Sequence, residues 1–520
     1  MPDLERDGRS ELPYGLVLRS SEVGGRVGEV RRWAAAGTPV RDAAPGGLPE
    51  QLLADDLPEP AARLLGTAAQ EAGMRPVLTV PLRDLAVPRR PRGPDRSVAP
   101  GPHLLLEAPA PPPDEGQVLL EADATGVVRW VFPGAAVRGG RTDRAAGAQT
   151  FRVPMEQFAL PAAGPAADRG IVGFGVGKVL HLLRFPIERA AGLAADFAVS
   201  RWEEKHRPYG LWLTTPQTFL APGKQPGDRP GEGSGVPVSA GRLAELADRP
   251  FLLFVHGTFS RCRTGFRGIA EDEPLLHDLH RRYDGRVLVF DHPTVHLDPV
   301  DNARWLLEHL PADRRLTLDI VTHSRGGLVA RHLSQDGLAG AGRPAPSVRM
   351  VVHVATPNAG TALAEKQRLS DLLGVFTNLL GLFPEELVST TLEVVLEVVK
   401  HGATGVLGGL DGLAAMDPAS EGLSELNASA VPSEVSVRAV TSDFEPAQDA
   451  SLAMRALDAL VDRLFGVGND LVVPTEGVHR AGSYVVPDPL VVPSASAVAH
   501  SGFFREAQVR AGLSQWLPGS

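Results

Sequence analysis

The segment that most constrains this chain is Leu316-Thr317-Leu318-Asp319-Ile320-Val321-Thr322-His323-Ser324-Arg325-Gly326-Gly327-Leu328-Val329-Ala330-Arg331. An apolar run of strand length leads into a serine, and two glycines then open a stretch with helical spacing. A strand that turns this tightly into a helix brings two backbones together, which calls for small residues after the turn. The same turn lifts the serine hydroxyl clear of the sheet, at a helix N-terminus where developing negative charge is favoured. Taken alone, x-His-Ser-x-Gly is a weak pattern, and an ordinary serine in a surface turn is its plainer reading. The sequence on either side changes the balance.

From about residue 246 onward, apolar runs alternate with helical patterns, the signature of a mostly parallel sheet flanked by helices. The runs are Phe251–Val255, Val287–Phe290, Leu316–Val321, Val348–Val354 and Val435–Val440, and the first is nearly continuous, as a strand buried on both faces should be. Helical spacing appears between them at Asn302–Leu310 and Leu328–Leu333. The first run ends in His256-Gly257-Thr258, and the fourth runs into Ala355-Thr356-Pro357-Asn358-Ala359-Gly360-Thr361. Both polar turns fall on the same sheet edge as Ser324. An acid and a histidine follow the serine, Asp470 in Asn469-Asp470-Leu471-Val472-Val473-Pro474 and His500 in Ala499-His500-Ser501-Gly502-Phe503-Phe504.

The segments VHGT, VTHSRGGLVAR, VATPNAGT, NDLVVPT and HSGFF resemble the lipase and esterase branch of the α/β-hydrolases, over roughly residues 248–515. The resemblance implies an α/β-hydrolase fold and a serine hydrolase acting on carboxylic esters, with lipid or phospholipid acyl esters favoured. It implies Ser324 as nucleophile, Asp470 as the acid and His500 as the general base. Thr258 and Arg325 would stabilise the oxyanion through their backbone N–H groups. Thr322 departs from the usual glycine at the first position of the elbow, which puts the packing there in question. Asp443, directly after the run Val435–Val440, is the competing acid. The same three residues would also serve an acyltransferase or a peptidase, and a hydrolase fold kept only as an interaction or signalling scaffold is the non-enzymatic alternative.

Other residues weigh less. His292 follows the second run and sits on the catalytic edge, although a turn histidine is the simpler reading. His277, His280 and His296 lie near Asp278 and Asp298, but their spacing fits no tight ligand motif, so neither metal nor cofactor is expected. His353 reads as a core residue within a strand. Cys262 is the only cysteine of the 520 residues, so no disulfide can form within the chain.

The first half is expected to be a β-rich domain over 1–165, with a hairpin over 117–133 and proline-rich loops at 88–102 and 109–113. A helical and extended connecting segment is expected over 166–220, with helical spacing from about residue 171 to 206. A Gly/Pro-rich linker follows over 221–245, then the α/β domain over 246–520. Within that domain, apolar runs over about 365–416 suggest a helical lid or cap; a lid would imply an apolar acyl chain and contact with a lipid surface. Nothing in the first half looks catalytic, which leaves it a recruiting role toward a protein partner. The net charge of −10 offers no basic surface for nucleic acid. The N-terminal residues lack a basic stretch followed by an apolar one, and no run is long enough to span a membrane, so a cytoplasmic location is expected.

Overall fold

The computed structural model describes residues 3–33, 61–87, 101–134, 147–155, 176–187, 198–220, 235–334, 338, 344–379, 385–405 and 408–519. The proline-rich stretch at 88–100 and most of the expected linker lie outside these residues. The chain divides into two units. One comprises Met1–Ala195, Ser370–Leu407 and Gln448–Leu460; the other comprises Asp196–Leu369, Gly408–Ala447 and Val461–Ser520.

The second of these units is built on one sheet. Its strands are β1 (Gly210–Leu213), β2 (Val236–Pro237), β3 (Phe251–Val255), β4 (Val287–Asp291), β5 (Thr317–His323), β6 (Ser347–Val354), β7 (Ser436–Ser442) and β8 (Leu490–Val492). Their order is β2-β1-β4-β3-β5-β6-β7-β8. The pairings from β4 through β8 are parallel, while β1 joins β4 and β2 antiparallel. Every residue of β3 and β4 is buried, which explains why those runs show no alternation. One core lies against each face, the first around Phe254, Phe266 and Phe504, the second around Leu253, Phe290 and Leu306. Helix α1 (Pro299–His309) and helix α2 (Gly326–Leu333) flank the sheet. A parallel sheet in this order, with a serine on the turn after β5, is the α/β-hydrolase fold.

The other unit is β-rich. Two antiparallel sheets of seven and four strands, counted over the described residues, supply one shared core that includes Leu18, Leu82, Leu106, Phe151 and Leu180. The hairpin expected over 117–133 is present as Glu115–Asp123 paired with Val128–Val131. Two expectations need correction. Val176–Pro186 is not helical: it is a strand between Arg75–Ala86 and Glu115–Asp123. The connecting segment is not merely a connection either, because Gly210–Leu213 enters the large sheet; among the described residues, Ala198–His206 is the helix that precedes it.

The helices of the expected lid also have a definite place. Helices α3 (Leu369–Leu379) and α4 (Glu385–Ala403) pack almost entirely within the β-rich unit. Trp130 Nε1 donates to Thr377 Oγ1 at 3.0 Å, and Val128 N donates to Asn378 Oδ1 at 3.0 Å. Asn378 Nδ2 returns a bond to Val128 O at 2.8 Å. Val395, Leu396, Val398 and Val399 are all fully buried, so α4 is apolar on several faces because several faces are covered. Trp130→Ala removes a wholly buried indole and its hydrogen bond, and should cost about 3–5 kcal/mol. Urea midpoints of wild type and variant test this; a loss below about 1 kcal/mol would contradict the packing described. Among the described residues no helix is long and apolar enough to cross a membrane.

Candidate active site

The turn after β5 holds Ser324 at φ 50°, a left-handed conformation that a serine adopts only at a cost of roughly 1–3 kcal/mol. Ser324 N donates to Val354 O at 2.9 Å and Gly327 N to Ser324 O at 3.0 Å, which fixes the turn. The two glycines are required by close approach. A Cβ on Gly326 would lie 2.3 Å from Val255 O, and one on Gly327 would lie 2.1 Å from Thr356 Oγ1. Thr322 causes no misfit in place of glycine: its hydroxyl donates to Val352 O at 3.1 Å.

The loop after β3 passes directly over the serine, since a Cβ on Gly257 would stand 2.5 Å from Ser324 Cβ. Thr258 is on that loop and Arg325 caps α2. Among the described residues no acceptor meets the backbone N–H of either one. Two buried, unanswered N–H groups flanking one serine are what a developing oxyanion requires.

Asp470 and His500 meet. Asp470 Oδ2 accepts from His500 Nδ1 at 2.8 Å, while Oδ1 accepts from Val472 N at 3.0 Å and Val473 N at 2.7 Å. His500 N in turn donates to Asp470 O at 2.9 Å, so backbone as well as side chain joins the two loops. With the carboxylate on Nδ1, the imidazole lone pair lies on Nε2, which is buried and without a partner. Asp443 does not reach the histidine in this way. Its Oδ1 accepts from Asn469 N at 3.1 Å, and Asn469 Oδ1 accepts from Leu471 N at 2.9 Å. Asp443 therefore props up the loop that carries Asp470.

His323 is a residue whose part the sequence did not disclose. Its Nε2 donates to His500 O at 2.9 Å, tying the elbow to the histidine loop. Burial, with His500 as the next cause, pushes its pKa down to about 3, so the ring is neutral. His256 is neutral for the same reason, lowered to about 4 by burial, and its Nε2 accepts from His292 N at 3.1 Å. His292 is buried and stacks on His256 with centroids 4.2 Å apart. His353 bonds Tyr484 Oη at 2.8 Å inside the core. The Cys262 thiol donates to Phe254 O and Phe290 O, and burial, with Asp291 as the next cause, pushes its pKa up. His280 bonds Leu276 O and Thr214, His296 bonds Glu203, and among the described residues no cluster of three or more His, Cys, Asp or Glu is placed to hold a metal ion.

Residues 231–518 match one family model, described as a domain of unknown function (DUF7379). No curated protein matches the sequence. Similar solved structures include a lipase of Bacillus licheniformis in mature form, 16% identical, covering 52% of this chain and 93% of that one at a TM-score of 0.30. Lipase 1 of Pelosinus fermentans is 13% identical, with coverages of 51% and 99% and a TM-score of 0.33. The enol-lactonase of Burkholderia xenovorans is 13% identical, with coverages of 52% and 92% and a TM-score of 0.28. Scores this low add nothing to what the strand order and the elbow already establish.

Proposed function

The chain belongs to the DUF7379 family, and because that description assigns no chemistry, we propose from the site geometry that the protein is a serine hydrolase of carboxylic esters. The observation that carries the reading is the buried Asp470–His500 pair, whose free Nε2 lies on the histidine loop tied to the Ser324 elbow.

In this reading His500 Nε2 takes the Ser324 proton as the hydroxyl attacks the ester carbonyl. Asp470 holds the tautomer and stabilises the imidazolium that forms. The N–H groups of Thr258 and Arg325 receive the oxyanion. The imidazolium then protonates the leaving alcohol, and water, deprotonated by the same nitrogen, releases the acid from the acyl-serine. Phe259 and Leu363 are buried apolar residues on the segments that follow β3 and β6, which suits an apolar acyl chain, and acyl esters of lipids or phospholipids are the substrates we favour.

Fluorophosphonate labelling followed by intact mass tests the assignment. One adduct per chain is expected on wild type, with none on Ser324→Ala and at least about a thousandfold slower labelling on His500→Ala. A folded wild type that takes up no label, with or without detergent, would overturn it.

A further inference from the structure

After α4 the chain returns to the catalytic unit along Leu410–Met416, which includes the short helix α5 (Asp411–Ala414). This limb is fastened at both ends. At its start Gly412 O accepts from Arg325 Nε at 2.9 Å, and Gly412 N donates to Val295 O at 2.9 Å. A Cβ on Gly412 would lie 2.5 Å from Thr294 O and 2.6 Å from Leu297 O, so only glycine lets the limb sit this close. The same guanidinium donates to Asn302 Oδ1 at 2.9 Å and to Leu297 O. It is fully buried, and desolvation lowers its pKa to about 10, which leaves it charged at neutral pH. A buried cation satisfied by acceptors on two stretches of chain, Leu297–Asn302 and Gly412, holds them in one arrangement.

At the far end, Met416 O accepts from Thr361 N at 2.9 Å. Its thioether accepts from Thr258 Oγ1 at 3.7 Å. Sulfur is a weak acceptor, so this bond chiefly fixes the rotamer of Thr258. Arg325 and Thr258 are the two residues whose N–H groups flank Ser324, and the limb grips the side chain of each.

We propose that Leu410–Met416 is a fixed clamp that presets the oxyanion loop, with Met416 a positioning residue for Thr258. The inference rests on the hydrolase reading above. It adds that the two oxyanion donors are held in place by the limb's own bonds before substrate arrives.

The test uses the full-length chain and p-nitrophenyl butyrate as probe. Wild type is first titrated with the fluorophosphonate; failure to label removes the hydrolase reading, and the clamp with it. With labelling established, steady-state kinetics are compared for wild type, Met416→Leu, Thr258→Val and the double variant. Leucine keeps the volume and loses the acceptor. Met416→Leu should lower kcat about tenfold with KM little changed, as expected when a donor is displaced and substrate binding is left as it was. In the Thr258→Val background Met416→Leu should cost nothing further, because the hydroxyl it positions is gone. Independent, multiplicative losses in the double variant or an unchanged kcat in Met416→Leu would each overturn the clamp.

Discussion

Asp470→Asn should lower kcat by about ten-thousand-fold, while Asp443→Asn leaves it within a small factor of wild type. The two carboxylates lie in adjoining loops and share the neighbour Asn469, so simple proximity does not separate them. Their partners do. Asp470 accepts the Nδ1 proton of His500, and an asparagine there would present an amide to the ring and favour the wrong tautomer. Asp443 accepts a backbone N–H of the acid loop, and asparagine can keep that bond through its carbonyl oxygen. The comparison needs kcat on one soluble ester, with fluorophosphonate titration to count competent sites. Equal losses in the two variants would sink the assignment of the acid.

Stability should fall steeply once the pH drops below about 6.5. His256, His323 and His353 are fully buried, and burial lowers their pKa values to about 4, 3 and 3. Each is neutral in the folded protein and titrates near 6.5 when unfolded. Because the folded values are depressed, the full stability is present above the unfolded pKa. It drains away as the pH falls from about 6.5 toward the folded values, at about 1.4 kcal/mol per pH unit for each ring. At pH 5.5 the three together should have cost about 4 kcal/mol. Urea midpoints followed by tryptophan fluorescence at pH 7.5, 6.5 and 5.5 measure this. A midpoint that stays level across that range would mean the rings already find a way to be charged in the native state.

Much of the α/β-hydrolase half was legible because strands such as β3 and β4 are buried on both faces. Phe251–Val255 has no polar residue to confuse it with an amphipathic helix, and Pro250 and Gly257 bound it. The elbow was legible because Gly326 and Gly327 are forced by backbone approach. The same rule misled at Val176–Pro186, where Leu-His-Leu-Leu sits between two neighbouring strands with both faces covered and therefore carries no period of two. Helices α3 and α4 were recognisable as helices buried on several sides. Pattern shows how many faces are covered but not by what, so their packing against the Glu115–Val131 hairpin could not be read. The backbone role expected for Arg325 came from its place after Ser324. Its guanidinium, gripping a limb 87 residues further on, has no local signature at all.

The union of Trp130 with Thr377 also has a consequence during synthesis. The two residues are 247 positions apart, and at roughly 5–20 residues per second the hairpin waits about 10–50 seconds for the helix that covers it. Throughout that interval Val118, Leu120 and Trp130, all buried in the finished protein, wait for the segment that completes their surroundings. The part of the large sheet from β3 through β6 is made in the meantime. A nascent chain arranged this way shows a sticky β-surface to the cell well before its last strands exist, and its yield should depend on whatever chaperone shelters that hairpin until α3 and α4 emerge.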